Sequence, residues 1–222
     1  MLVKGWMTAE VITIDPETSV MKASQIMKEN GISRLPVMED GKLVGIVTDR
    51  DLKEASPSKA TTLDVHELYY LLAELKINDI MSKDLITVHA DQTVELAAVK
   101  MLEHQITGLP VLNNEGRLVG MLTMGDVFRV LISITGIYRG GIQFAFSLAD
   151  RPGTIGEVAN VIRQHGGKIV SILSSYDLCE DDCRNVYIRI EELPEEKLKK
   201  LVKELEENFI VLSTAKDQLQ DI

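Results

Sequence analysis

Ile32-Ser-Arg-Leu-Pro-Val37 returns as Ile106-Thr-Gly-Leu-Pro-Val111, and Gly45-Ile-Val-Thr-Asp-Arg-Asp51 returns as Gly120-Met-Leu-Thr-Met-Gly-Asp126. Working outward, Met7-Thr-Ala-Glu-Val-Ile-Thr-Ile14 matches Met81-Ser-Lys-Asp-Leu-Ile-Thr-Val88. Val20, Ala23 and Met27 match Val94, Ala97 and Met101. The offset is 74 residues (Met7 to Met81) through the first string and 75 (Gly45 to Gly120) after it. The extra residue enters at Asn113-Asn-Glu-Gly116, opposite Glu39-Asp-Gly41. A match of that length with one insertion in a turn means one supersecondary unit copied twice.

Each unit reads strand, helix, strand, strand, helix. In the first copy, residues 11–14 read as a short strand. Ser19 is a good N-cap, and Val20, Ala23, Ile26 and Met27 then recur at helical spacing. Asn30-Gly31 ends that helix. Residues 35–38 and 43–47 are a strand pair joined by Glu39-Asp40-Gly41, and Asp49 opens a second helix. The expected class is α/β (α+β), with two such units covering each other's sheets.

Composition excludes several functions. The 222 residues carry a net charge of −10, with 45% hydrophobic and 26% charged residues. That is enough apolar mass for real cores. A chain this acidic is poorly suited to nucleic acid, whose binding runs on Lys and Arg. No apolar run approaches a membrane span of about 20 residues, and the start lacks the pattern of a secretory signal. Two cysteines give no disulfide framework. The expectation is a cytoplasmic protein with no nucleic-acid or membrane partner. No nucleophile–base constellation, Walker-type loop or dinucleotide fingerprint is present, so the chain is expected not to be an enzyme and to have no catalytic residues.

The Thr-x-x-Asp strings carry the candidate chemistry. Thr48 and Thr123 end strands, and Asp51 and Asp126 follow in the first turn of the next helix. A carboxylate there can accept two hydrogen bonds from a ribose diol, while the free amides of the helix start favour a phosphate. The same residues also read as plain helix caps. Asp126 is expected near the surface, where its removal spares the fold.

The duplicated Ile-x-x-Leu-Pro-Val and Gly-h-h-Thr-x-x-Asp strings (h, hydrophobic) resemble the CBS domain, and the two copies resemble a CBS pair, or Bateman module. The resemblance implies repeats at 1–58 and 77–136, with an inserted helix at 59–76. It also implies adenosine-nucleotide sites built across the pair, each using the Asp of one repeat and the first strand and pre-Leu-Pro residues of the other. One site joins Thr123 and Asp126 with Thr13, Ser33 and Arg34. The other joins Thr48, Arg50 and Asp51 with Thr87, Thr107 and Gly108. Arg34 stands where a phosphate-contacting cation is often found, and an Arg fork suits phosphate. Gly108 removes that cation from the second site, where Arg50 is its substitute. The nucleotide is a regulatory ligand; no catalytic cofactor and no metal are expected.

The last third differs. Alternating Ile142, Phe144, Phe146 and Leu148 form a strand. Ile155, Val158, Ala159 and Ile162 form a helical stripe, stopped by Gly166-Gly167. Strands at 169–176 and 186–190, a helix at 195–207 after Pro194, and a strand at 209–212 follow. This ferredoxin-like βαββαβ order, with Asp150-Arg-Pro-Gly153 after the first strand, resembles the ACT domain over about 142–215. The resemblance implies a small effector bound at Asp150, Arg151, Gly153 and Ile155, or a domain used for assembly. Lys168 departs from the Asn of serine-sensing members. Cys179 and Cys183 flank three carboxylates, but the stretch reads as a solvated hairpin tip rather than a metal clip. The three glycines of 136–141 suit a hinge or a floppy linker.

A CBS pair followed by an ACT domain is similar to the bacterial acetoin-utilisation protein B family, and Asp49-Arg-Asp-Leu-Lys-Glu-Ala-Ser-Pro-Ser58 is its most particular point of likeness. The resemblance implies a ligand-sensing regulator acting as a homodimer or larger homo-oligomer, with an unnamed regulated enzyme as a further partner. The alternative is a structural adaptor with vestigial sites.

Overall fold

The computed structural model describes residues 1–55, 74–177, 179 and 182–216. The chain divides into two compact units, Met1–Val127 and Phe128–Ile222. Most of the expected inserted helix, at 59–76, lies outside the described residues.

In the first unit, α1 (Val20–Asn30) starts on Ser19, whose hydroxyl accepts from the Lys22 amide at 3.2 Å. It stops at Gly31 in the left-handed region, φ 63°. β1 (Arg34–Glu39) and β2 (Lys42–Thr48) pair antiparallel. Asp40 and Gly41 between them both have positive φ, the twist-matched form of a tight hairpin turn. α2 (Asp49–Glu54) follows. The second copy contributes α3 (Ile77–Ile80), β3 (Val88–His89), α4 (Val94–Glu103), β4 (Gly108–Leu112), β5 (Leu118–Thr123) and α5 (Met124–Thr135). β3 lies parallel to β4, and β4 antiparallel to β5. The expected strand at 11–14 reduces to one parallel bridge, Ile14 to Val37, because Ile14 alone there exchanges backbone bonds with β1 (with Pro36 and Met38).

The two repeats exchange their leading segments. Val3 and Lys4 donate to the carbonyls of Gln92 and Ala90, Val94 donates to Met1, and Thr8 bridges Met121 of β5. In the other direction, Val20 donates to Leu75, Ile77 to Thr18, and Ser82 bridges Ile46 of β2. Ile77 is fully buried in the first repeat's core, with Leu35, Val37 and Val47. The exchange explains the glycine of Gly-h-h-Thr. A Cβ at Gly45 would run into the Met81 thioether, and a Cβ at Gly120 into that of Met7.

The second unit, which begins within α5, holds β6 (Ile142–Ala149), α6 (Thr154–Gln164), β7 (Ile169–Ser175), β8 (Cys183–Ile190), α7 (Glu195–Asn208) and β9 (Ile210–Lys216). The sheet order is β7-β8-β6-β9, with every neighbouring pair antiparallel. This is the ferredoxin-like arrangement. Phe144, Phe146, Val186 and Ile188 meet Val158 and Ile162 of α6 and Leu201 and Leu205 of α7 in one core. On the sheet's other face, Arg189 is buried and its Nε donates to the Thr135 carbonyl at 2.8 Å. The Ser171 hydroxyl donates to the same oxygen at 2.8 Å. Cys179 and Cys183 are joined in a disulfide, Cα atoms 5.8 Å apart, so the hairpin tip carries one local bridge rather than two thiols.

Gly120→Ala is expected to cost about 1–3 kcal/mol, as overpacking does, measured by urea unfolding. Adding Met7→Ala should return part of that loss, since the methionine side chain is what the new methyl meets. Additive losses in the double mutant would mean that the two positions do not touch.

Candidate functional site

A cavity of about 410 Å³ opens in the first unit, lined from both repeats. The segment from Thr8 to Ile12 forms one wall, held in place by the Thr8–Met121 exchange. Gly31 to Arg34 and Pro36 form another. Thr107, Met121, Thr123, Met124 and Gly125 complete it. Val11, Ile12, Ile32, Pro36 and Met121 make much of the surface apolar. Polar character comes from Thr8, Ser33, Thr107 and Thr123, and the two charged residues on the lining are Arg34 and Glu10.

Arg34 crosses from the first repeat to the second. Its guanidinium donates to the Thr107 carbonyl at 2.5 Å and to the Thr107 hydroxyl at 2.6 Å. The reach is possible because residue 108, the counterpart of Arg34, is glycine: a Cβ there would collide with the guanidinium. Burial lowers the Arg34 pKa from its ordinary value, and the negative charges of Asp49 and Asp126 work against that loss. The Thr107 carbonyl also accepts from the Met124 amide at 3.0 Å, as the Ser33 carbonyl does from Asp49 at 2.9 Å. The residues before Leu-Pro are thus pinned to the starts of α5 and α2.

Both Thr-x-x-Asp strings form caps. The Thr123 amide and hydroxyl donate to one Asp126 oxygen at 2.7 and 2.8 Å, and the Asp126 amide donates back to the Thr123 hydroxyl at 3.3 Å. Thr48 and Asp51 repeat this at 2.7, 2.7 and 3.3 Å. Asp126 is only 3% exposed, which corrects the expectation that it sits near the surface. Asp51, held in the same cap geometry, is only half-buried, so the cap by itself does not set the depth of Asp126.

The first expected site is brought together in part. Ser33, Arg34 and Thr123 line the cavity, and Asp126 lies under Thr123. Thr13 is exposed and outside the lining, while its neighbours Val11 and Ile12 are on it. Thr107, expected in the second site, lines this first cavity and takes Arg34 instead. Of the remaining second-site residues, Arg50 is exposed and paired with Glu54 at 2.8 Å. The Thr87 carbonyl accepts from Lys100 at 2.8 Å. Thr48 and Asp51 serve α2, which has six residues. Sequence reasoning missed Glu10, Thr8 and Met121. The signal for them was the exchange of leading segments, which a contiguous reading of each repeat does not reveal.

In the second unit, Gly153 (φ 97°) turns the chain into α6. Arg151 is held by both oxygens of Glu157, at 2.9 and 2.8 Å. The Asp150 carboxylate lies 3.5 Å from Arg184 Nε, and its amide donates to the Asp182 carbonyl. Ile155 packs partly into the core. A smaller cavity of about 220 Å³ includes Arg151, Thr154 and Phe209 on its lining, but not Asp150, Gly153 or Ile155. Among the described residues no cluster of His, Cys, Asp and Glu is placed to hold a metal. Among them, too, no helix is long and apolar enough to cross a membrane.

The CBS domain pattern matches residues 3–58 and 77–133. The chain belongs to the CBS domain family. An inosine-5'-monophosphate dehydrogenase of Korarchaeum cryptofilum is 39% identical over 125 residues, 56% of this chain. The chain spans only 23% of that enzyme's length. Among solved structures, CBSX2 in complex with AMP is 31% identical, covering 60% of this chain and 98% of its own, with a TM-score of 0.50. A putative acetoin utilization protein (AcuB) from Vibrio cholerae is 26% identical, covering 62% of this chain and 95% of its own, with a TM-score of 0.51.

Asp126→Ala leaves the Thr123 amide and hydroxyl without their acceptor. It should cost about 1–2 kcal/mol, the scale of a lost helix cap, read from the urea midpoint. Asp126→Asn, which keeps an acceptor oxygen, should cost less. Equal midpoints for wild type and the alanine variant would show that the cap contributes nothing.

Proposed function

We propose that the chain is a non-enzymatic regulatory protein that binds an adenosine nucleotide of the AMP, ADP or ATP kind between its two CBS repeats. The observation that carries this is the 410 Å³ cavity, whose lining combines one guanidinium, hydroxyls from both repeats and an apolar wall. In this reading Arg34 contacts a phosphate. Ser33, Thr107 and Thr123 supply hydroxyls, and Asp126 accepts from the ribose diol. Ile12, Pro36 and Met121 hold the base. The likeness to a CBS pair structure with AMP supports the ligand class. Thr48, Arg50, Asp51, Thr87, Thr107 and Gly108 make the second, weaker place, since Thr107 lines the first cavity and Arg50 is paired with Glu54.

The C-terminal unit is proposed as an ACT domain that senses a small effector near Asp150, Arg151, Gly153 and Ile155, or that mediates assembly. Its ferredoxin-like strand order supports this. The protein is proposed to act in the cytoplasm as a homodimer or larger homo-oligomer, with a role in acetoin utilisation suggested by the likeness to the Vibrio cholerae protein.

Titration calorimetry with AMP, ADP, ATP and S-adenosylmethionine tests the nucleotide reading. Arg34→Gln should weaken binding of the preferred phosphate-bearing ligand at least about tenfold, as loss of a charge-assisted bond does. Unchanged affinity in both Arg34→Gln and Asp126→Asn would refute these roles.

A second reading, a structural adaptor, is favoured by the apolar residues on the outer side of α4: Leu96, Val99 and Leu102 are 40, 47 and 72% exposed. Sedimentation should give at least twice the monomer mass at micromolar concentration. Such a mass with no nucleotide binding favours the adaptor; a monomer removes the homodimer from both readings.

A further inference from the structure

The nucleotide reading leaves open what decides among ligands of different charge, and Glu10 answers it. Glu10 is exposed and lines the cavity, placed there because Thr8 is fixed to Met121 of β5. The sole cation on the lining, among the described residues, is Arg34. Its charge is already shared by two carboxylates, since Asp49 and Asp126 both act on it. Asp49 itself is paired with Lys53 at 2.7 Å, outside the lining. The lining therefore offers one guanidinium and one carboxylate, that of Glu10, with the Asp126 carboxylate capping the lining residue Thr123. A single phosphate can be met by Arg34. Each further phosphate in a chain adds negative charge to a cavity whose lining has no second cation to receive it and carries Glu10.

We infer that Glu10 and Arg34 together set the ligand's charge, so that the cavity takes an adenine nucleoside bearing at most one phosphate and rejects the di- and triphosphates. The inference rests on the nucleotide reading of this cavity and goes beyond it by naming the ligand's charge class and a specificity residue. Like charges on one cavity lining repel more strongly than in bulk water, and because Glu10 is exposed that repulsion is subject to salt screening. A repulsive group facing the competitor is one way sites discriminate between ligands that share most of their contacts.

The test is calorimetry of the full chain with adenosine, AMP and ATP in magnesium-free buffer, for wild type, Glu10→Gln and Glu10→Lys. Wild type should bind AMP at least about tenfold more tightly than ATP. The gap should narrow at least about threefold in Glu10→Gln and close or invert in Glu10→Lys. The ratio is the readout, because a merely structural disturbance moves both affinities together. Raising the ionic strength should narrow the wild-type gap as screening grows. Tighter ATP than AMP binding in wild type, or a ratio untouched by both substitutions, overturns the inference while leaving a nucleotide site standing. No binding of any of the three overturns the nucleotide reading and the inference with it.

Discussion

A methionine laid over a glycine, twice, is the contact on which the first unit depends. Met7 covers Gly120 and Met81 covers Gly45, each from the other repeat. A methyl at either glycine would meet the methionine thioether first and the carbonyl of the crossing segment, Thr8 or Ser82, next. Each crossing segment bonds to the strand it covers and buries a core residue, Val3 on one side and Ile77 on the other. Neither repeat is a complete unit by itself. The cavity follows from the same exchange. Pairing of Thr8 with Met121 carries Val11, Ile12 and Glu10 to its wall, and the repeat interface brings Arg34 within 2.5–2.6 Å of Thr107.

The repeat, its helices and its hairpins were legible because they rest on local signals. Ser19 caps and Gly31 terminates α1, and the Asp40-Gly41 turn has the backbone form that its residues favour. The alternation of Ile142, Phe144, Phe146 and Leu148 gave the central strand of a sheet whose order the chain's βαββαβ pattern suggested. The exchange was not legible, because hydrogen bonds between residues about 35–115 positions apart, such as Ser82 to Ile46 or Thr8 to Met121, leave no periodic trace. The strand at 11–14 was over-read for the same reason: its apolar residues face a cavity and a core, not a ladder. The depth of Asp126 was also hidden. Thr-x-x-Asp predicts a cap, but a cap is compatible with either an exposed or a buried carboxylate. What buries this one is the packing around the start of α5.

The capping geometry and a ligand role for Asp126 draw on the same carboxylate without conflict. One oxygen accepts both Thr123 donors, which fixes the orientation of the carboxylate. A carboxylate has about four lone-pair directions, so a group held by one oxygen is oriented rather than exhausted. The duplicated string thus gives two caps of equal geometry, and the α5 cap adjoins the cavity that the Arg34 guanidinium reaches. The asymmetry traces to a single position: arginine at 34 and glycine at 108.

Glycine in the stretch 136–141 has a different meaning from the one its composition suggests. Three glycines there invite the idea of a hinge. Each has positive φ, and two of them are in close contact. A Cβ at Gly136 would strike the Val170 side chain, and one at Gly141 the Ile190 carbonyl. A short 3-10 turn, Ile137–Arg139, fills the interval. Just before it, the Thr135 carbonyl at the end of α5 accepts from both Ser171 and Arg189, where a cation also suits the negative end of the helix dipole. At Gly136 and Gly141 the missing side chain serves close approach, while Gly140 answers only to its positive φ. The boundary between the compact units falls inside α5 rather than in the glycine stretch, so these glycines and the Thr135 carbonyl belong to the packing of the second unit itself.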